Sequence, residues 1–351
     1  MTSHHHHHSP APHHGHQEQP DTSHTHGDSQ AQVLDLDAEV LAEQIAAIIA
    51  WLPVRTAPRE IVDLGAGTGA GSLALLSRFP DAQLTAVDSS AEHLELLRTK
   101  ARSAGLGDRV QTVQADLDAT EWPDLGAPDL VWASASMHHL ADPGRALRTV
   151  RDILALGGLV AVVELAGLPR FLPPTAPEDR PGLEERAHAA TRHLLAEHLP
   201  HLGADWAPEL AAAGLSVQDH LVVAVDVGGT QDNEVGAYAL AALQGLRRAV
   251  DSVLPAEDLA ALDRLLDTGS ADSVLRRPDL RARTTRTVWA ARRPGEDAIV
   301  TASAPLVGEA DGPSEWFSAA AEAANSERLF GQRRHGLDPL VAGGGATTTA
   351  G

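Results

Sequence analysis

From Leu34 to Leu52 the apolar residues Val40, Leu41, Ile45, Ile48, Ile49 and Leu52 recur at spacings of three and four, which predicts a helix with one buried face, ended by Pro53. The period then changes. Short apolar runs at 60–64, 84–87, 110–113, 130–133 and 159–163 predict strands, and the stretches between them carry helical spacings such as Leu147, Val150 and Leu154. Ser89 with Glu92 reads as a capping box for the helix through Leu94, Leu96 and Leu97, which stops at Gly105. A further helix is expected after Asp142-Pro143. Strands and helices alternating at about 25-residue intervals are the pattern of right-handed βαβ units in a parallel sheet. After Glu164 the rhythm breaks. A proline-rich turn, a helix at about 182–197 and a short one at about 207–213 precede a sixth strand at 216–227; helices at about 234–253 and 255–266 lead to a last strand at 284–292.

The densest chemistry sits where the first strand ends, in Ile61-Val62-Asp63-Leu64-Gly65-Ala66-Gly67-Thr68-Gly69-Ala70-Gly71. A strand, a glycine turn and a helix start bring unpaired N–H groups and side-chain-free backbone against a small ligand. The spacing Gly65-x-Gly67-x-x-Ala70 also satisfies the dinucleotide fingerprint. Asp63, two residues before the first glycine, argues otherwise: a carboxylate there repels a pyrophosphate and attracts a cation. Asp88 closes the second strand, 19 residues past Gly69, where a carboxylate accepts the hydroxyls of a ribose. Asp116 follows the third. Three acids thus fall on the carboxyl edge of the sheet, where ligands bind in open α/β folds.

Composition narrows the reading. A chain of 351 residues can bury a substantial core, and with no cysteine it has neither disulfides nor thiolate metal ligands. A formal charge of -21 argues against nucleic acid as partner. No apolar run reaches the roughly 18 residues of a membrane span and no export signal is evident, so no membrane partner and a cytoplasmic location are expected. Residues 1–30 hold ten of the 19 histidines and almost no large apolar residue, and are expected to be a disordered tail. Loose nickel or zinc binding and a purification tag are both open for His4 to His8 and their neighbours. Residues 294–351, rich in Pro, Gly, Ala, Ser and Thr with acids in excess, are expected to be a flexible acidic tail.

The Asp-x-Gly-x-Gly-x-Gly run, with the Asp88 and Gln114-Ala115-Asp116-Leu117 stretches in order behind it, resembles the class I S-adenosylmethionine-dependent methyltransferases, small-molecule type, over roughly residues 35–293. The resemblance implies a Rossmann-like three-layer α/β/α sandwich whose seven-stranded, mostly parallel sheet has its last strand antiparallel, with an acceptor cap at about 168–214 and 231–267. It implies S-adenosyl-L-methionine as cofactor, with Asp63, Gly65, Ala66 and Gly67 at the methionine part, Asp88 and Ser89 at the ribose, and Asp116 and Leu117 at the adenine. Ala133 and Ser134, after the fourth strand, would complete the contacts. The helix before the first strand would cover part of the cofactor.

On the acceptor side, Ser134-Ala135-Ser136-Met137-His138-His139-Leu140 occupies the place of the family's acceptor-facing loop, so His138 or His139 could act as general base; one ring packed under the sheet and one capping a backbone group is the competing reading. The loop lacks the Asn-Pro-Pro-aromatic pattern associated with nucleobase and glutamine nitrogens. Arg170, beside Phe171, together with Arg180, Arg186 and Arg192, could meet an acceptor carboxylate, though exposed helix arginines are the favoured reading for all but Arg170. His188, His193, His198 and His201 lack the spacing of a helical metal pair, and no metal site is expected. The expected partner is a small-molecule methyl acceptor, with the acceptor atom and the oligomeric state open. An NAD-dependent oxidoreductase and a non-catalytic cofactor-binding domain are the alternatives.

Overall fold

A computed structural model describes residues 22–228 and 234–295. In chain order the elements are α1 (Thr22–Val40), α2 (Ala42–Trp51), β1 (Glu60–Leu64), α3 (Ala70–Arg78), β2 (Gln83–Asp88), α4 (Ala91–Ser103), β3 (Val110–Gln114), β4 (Leu130–Ser134), α5 (Pro143–Ile153), β5 (Leu159–Leu165), α6 (Leu183–His198), α7 (Ala207–Ala212), β6 (Ser216–Gly228), α8 (Glu234–Ala249), α9 (Ala256–Leu266) and β7 (Arg281–Arg292). The seven strands form one sheet in the order β3-β2-β1-β4-β5-β7-β6. β1 to β5 pair in parallel, and β7 runs antiparallel to both its neighbours, β5 and β6. The strand order reverses between β1 and β4, which opens a crevice above their carboxyl ends.

β4 and β5 read as continuous apolar runs because both of their faces are covered. One face carries Val62, Val131, Val160 and Val162 against Leu147 and Val150 of α5 and Leu210 of α7. The other carries Ile61, Leu84, Trp132 and Ala161 against Ile48 and Ile49 of α2 and Leu75 and Leu76 of α3. A third core lies among α6, α8 and α9, where Leu41, Phe171, Leu183, Tyr238, Leu243 and Leu262 are buried together.

The single helix expected over 34–52 is instead two. α1 starts at Thr22, inside the stretch expected to lack order, and the chain bends at Leu41 while the bonds Leu41 N–H to Asp37 O and Ile45 N–H to Leu41 O bridge the break. The two halves serve different cores: Val40, with Leu41 at the break, is seated against α6, α8 and α9, and Ile48 and Ile49 on the sheet. Residues 1–21 and 296–351, including His4 to His8 and most of the expected acidic tail, lie outside the described residues. α8 ends at Ala249, four residues earlier than expected, and α4 is capped by Ser90 rather than Ser89. No helix among the described residues is long and apolar enough to cross a membrane.

Candidate functional site

A cavity of about 480 Å³ lies in the crevice at the carboxyl edge of β1, β2 and β4, within the size range of cofactor sites. Its rear wall is the turn from Gly65 to Gly71. Gly65 and Ala66 donate their amides to Val87 O at 2.8 and 3.0 Å, which pins the turn to β2. Gly65 has φ of +70°, and a Cβ there would stand 2.4 Å from the Cβ of Ser136. Only glycine permits both that backbone and that approach. Ser136 in turn donates to Leu64 O at 2.8 Å and so ties the loop after β4 to the end of β1. The preceding residue, Ala135, is held at φ of +51°, a local strain of the kind that gathers at functional sites.

Asp63 lies at the floor, 2 % exposed. Ser72 Oγ, in the first turn of α3, donates to its Oδ2 at 2.6 Å. Burial drives its pKa up to about 7 against the lowering effect of that bond, and the negative charge of Asp88 adds to the rise. A buried carboxylate without a compensating cation is the complement of a cationic ligand. Trp132, directly across from Asp63 in the register of β1 and β4, also lines the cavity, and its buried Nε1–H makes no hydrogen bond. A buried indole N–H ordinarily has an acceptor, so the floor carries one unspent donor beside one uncompensated acid.

Asp88 sits higher on the same wall. Its Oδ2 accepts from Gly67 N–H and its Oδ1 from Ser90 N–H, each at 2.8 Å, and His93 Nδ1 stands 3.5 Å from Oδ1. Burial would raise its pKa, but the hydrogen bonds from His93, Ser90 and Gly67 outweigh it and hold the group below the usual carboxylate value. It is therefore ionised, with lone pairs left for hydroxyl donors. The bond to Ser90 N–H also explains the shifted cap: it sets Ser90 so that its Oγ accepts from His93 N–H at 3.2 Å, leaving Ser89 to line the cavity. Asp116 is exposed at the rim, one carboxylate oxygen accepting from Asp118 N–H, with Leu117 buried beside it.

α1 closes the front. Asp35 accepts from Thr68 Oγ1 and Lys100 Nζ, both at 2.5 Å, and Leu34 reaches over Gly67. Asp37 lines the cavity while its carboxylate accepts from Arg286 Nη2 at 2.7 and 2.8 Å and from Tyr238 OH at 2.5 Å. The sequence predicts a covering helix here from Leu34 onward, but gives no role to Asp35 or Asp37. The signal was present in Lys100, the chain's one lysine, but its partner is 65 positions away.

Of the residues expected at the site, Asp63, Gly65, Ala66, Gly67, Asp88, Ser89, Asp116, Leu117, Ser134 and His139 line this one cavity. Ala133 and His138 do not. Ala133 is packed inside the sheet. His138 is 3 % exposed, and its Nδ1 lies 2.5 Å from Oε2 of the buried Glu164, whose Oε1 accepts from Met137 N–H at 2.8 Å. That pairing fixes the turn at Met137–His139 and leaves His139 alone at the cavity wall, its ring 4.2 Å from that of His138. Desolvation and the neighbouring His138 hold the His139 pKa below its usual value, so the ring is neutral at pH 7.

The other arginines considered for the acceptor are mostly engaged elsewhere. Arg186 makes a two-pronged pair with the buried Asp258, at 2.8 Å for each prong, Arg180 meets Glu257, and Arg192 donates to Ala189 O.

Part of the chain is similar to known proteins. Residues 61–158 match the methyltransferase domain family. The chain is similar to trans-aconitate 2-methyltransferase of Acidovorax sp. (strain JS42), 41 % identical over 106 residues, which is 30 % of this chain and 38 % of that protein. It is also similar to 27-O-demethylrifamycin SV methyltransferase of Amycolatopsis mediterranei (strain S699), 28 % identical over 146 residues, 41 % of this chain and 52 % of the relative. The chain thus spans between about two fifths and half the length of these relatives. Among solved structures, the [4+2]-cyclase SpnF aligns with a TM-score of 0.47 and 20 % identity, over 77 % of this chain and 95 % of that one. The match to the methyltransferase domain family covers the strand, the glycine turn and the acids Asp63, Asp88 and Asp116 that line the cavity.

Proposed function

We propose that this protein transfers a methyl group from S-adenosyl-L-methionine to an oxygen, nitrogen or carbon nucleophile of a small molecule. The observation that carries the reading is the convergence of three strand-end carboxylates, Asp63, Asp88 and Asp116, on one cavity backed by a glycine turn. The buried acid and the unspent Trp132 donor fit a ligand with both a cation and an acceptor at that end. S-adenosylmethionine, once bound, supplies a methyl carbon made electrophilic by its sulfonium. Asp63 would hold the ammonium, Asp88 the ribose hydroxyls, and Asp116 with Leu117 the adenine.

Displacement at an activated methyl carbon needs an aligned nucleophile and a dry site, which the packing of α1 across the turn supports. Where the acceptor bears a proton, His139, neutral and at the wall, takes it up on a ring nitrogen. Asp63 argues against the NAD reading, since it would stand against a pyrophosphate. Calorimetric titration with S-adenosylhomocysteine tests the assignment. Wild-type protein should bind it and reject NAD, and Asp88→Ala should lower the affinity at least tenfold. Unchanged affinity in Asp63→Ala and Asp88→Ala would remove the basis of the proposal. Turnover against an acceptor library separates an enzyme from a non-catalytic binding domain.

A further inference from the structure

A second cavity, about 400 Å³, opens on the same edge of the sheet, lined among others by Ala166, Arg170, Asp226, Arg283, Thr284 and Thr285. Glu164, which fixes the turn that presents His139, is on β5, and Ala166 follows two residues later, about 7 Å along an extended chain. Arg170 and Arg283 are direct antiparallel partners, exchanging backbone bonds at 2.9 and 2.8 Å, so their side chains leave the same face of the ladder. Like charges placed opposite one another cost stability unless something offsets them.

The protein offsets them only in part. Arg170 Nη1 is buried without a hydrogen bond, and Glu185 Oε2, at 3.6 Å, belongs to a side chain that is 76 % exposed. Arg283 spends one nitrogen on Leu172 O. Asp226 shares the cavity, but its Oδ1 accepts from Arg281 Nε at 2.6 Å. Glu184, buried nearby, gives its oxygens to the amides of Phe171 and Leu172. The neighbouring His188 is pushed down to about 4 by burial and by the charge of Arg170. Thr284 Oγ1 is likewise buried with no partner.

We propose that this cavity anchors a carboxylate of the methyl acceptor on the paired guanidiniums of Arg170 and Arg283, with a threonine hydroxyl beside them, so that the reacting end of the molecule extends toward His139. Planar guanidinium forks match carboxylate geometry, and an anchor remote from the reacting atom aligns the nucleophile. The proposal rests on the methyltransferase reading for the acceptor role, while the anion site itself does not.

Calorimetry with the full chain saturated with S-adenosylhomocysteine tests it, using citrate, succinate and inorganic phosphate as probes. The expected result is that citrate or succinate binds with a Kd below about 1 mM, and that Arg170→Gln and Arg283→Gln each weaken it at least tenfold, with S-adenosylhomocysteine affinity within twofold of wild type. Carboxylates that fail to bind, bind both variants equally, or are outcompeted by phosphate binding alone would overturn it. Should an arginine variant also lose the nucleoside, Thr284→Val reads the same site, and an unchanged citrate Kd there counts against the proposal. Loss of the methyltransferase reading looks different: S-adenosylhomocysteine does not bind the wild type, while citrate still does.

Discussion

Asp63 sets function against stability, and the conflict can be measured. Its pKa stands near 7 in the unliganded fold, against an ordinary value of 3.8 for the same group in an unfolded chain. Between those values the folded state keeps a proton that the unfolded chain has released, so stability falls as pH rises through that window. The slope approaches 1.4 kcal/mol per pH unit and the full loss, complete above pH 7, is about 4 kcal/mol. Asp63→Asn is isosteric and neutral, and its carbonyl can still accept from Ser72 Oγ, which donates to Asp63 at 2.6 Å. At pH 4.5 the variant and the wild type are therefore expected to be equally stable to within about 1 kcal/mol. At pH 8 the variant should be the more stable by about 2–4 kcal/mol, the carboxylate's desolvation having been removed.

Binding should move the other way. A cationic ligand selects the ionised form, so wild-type affinity for S-adenosylmethionine should climb toward tenfold per unit below pH 7 and level off above it. In Asp63→Asn it should be weak at every pH. Urea denaturation at the two pH values, paired with calorimetry, reads both effects. A variant less stable than wild type at pH 8, or a stability gap that does not widen with pH, would show that Asp63 is not an uncompensated buried acid, and the cation argument would fall with it.

Further outcomes follow from other contacts. Gly65→Ala should cost roughly 3 kcal/mol and abolish ligand binding, because the new Cβ meets Ser136 at 2.4 Å, whereas Gly126→Ala, at φ of +69° with open space around it, should cost only about 1 kcal/mol; equal melting shifts would refute the close-approach account. Asp37→Ala leaves Arg286, 8 % exposed, with a buried and unpaired charge, at an expected cost of about 3–5 kcal/mol, against about 1 kcal/mol for Tyr238→Phe, both read by chemical denaturation. Glu164→Gln weakens the clamp on His138 and the Met137 amide, so kcat should drop while affinity for S-adenosylhomocysteine changes less than threefold, a split that steady-state kinetics and calorimetry resolve.

The parts of this protein legible from sequence are those whose cause is local. The apolar runs give all seven strands, with β1 whole, the starts of β3, β4, β5 and β6 and the end of β7 at the observed residues, because period and flanking glycines act within a few positions. The acids at or beside the strand ends were equally visible, since parallel β1, β2 and β3 carry their carboxyl ends to one edge. What could not be read depends on partners far along the chain. His138 and His139 are chemically identical neighbours, and what separates them is Glu164, 26 positions on, which takes one ring inward and leaves the other at the cavity. The C-terminal part of α1 is likewise held from a distance. Its sequence is polar and barely amphipathic, and the helix is held by Asp37 bonding Arg286, 249 positions away, and by Asp35 bonding Lys100. Each of these distant contacts bears on the cavity rather than on the sheet. The fold is thus specified by patterns that recur in every strand, whereas the site is specified by single pairs, and a change to one such pair should alter ligand affinity while the sheet survives.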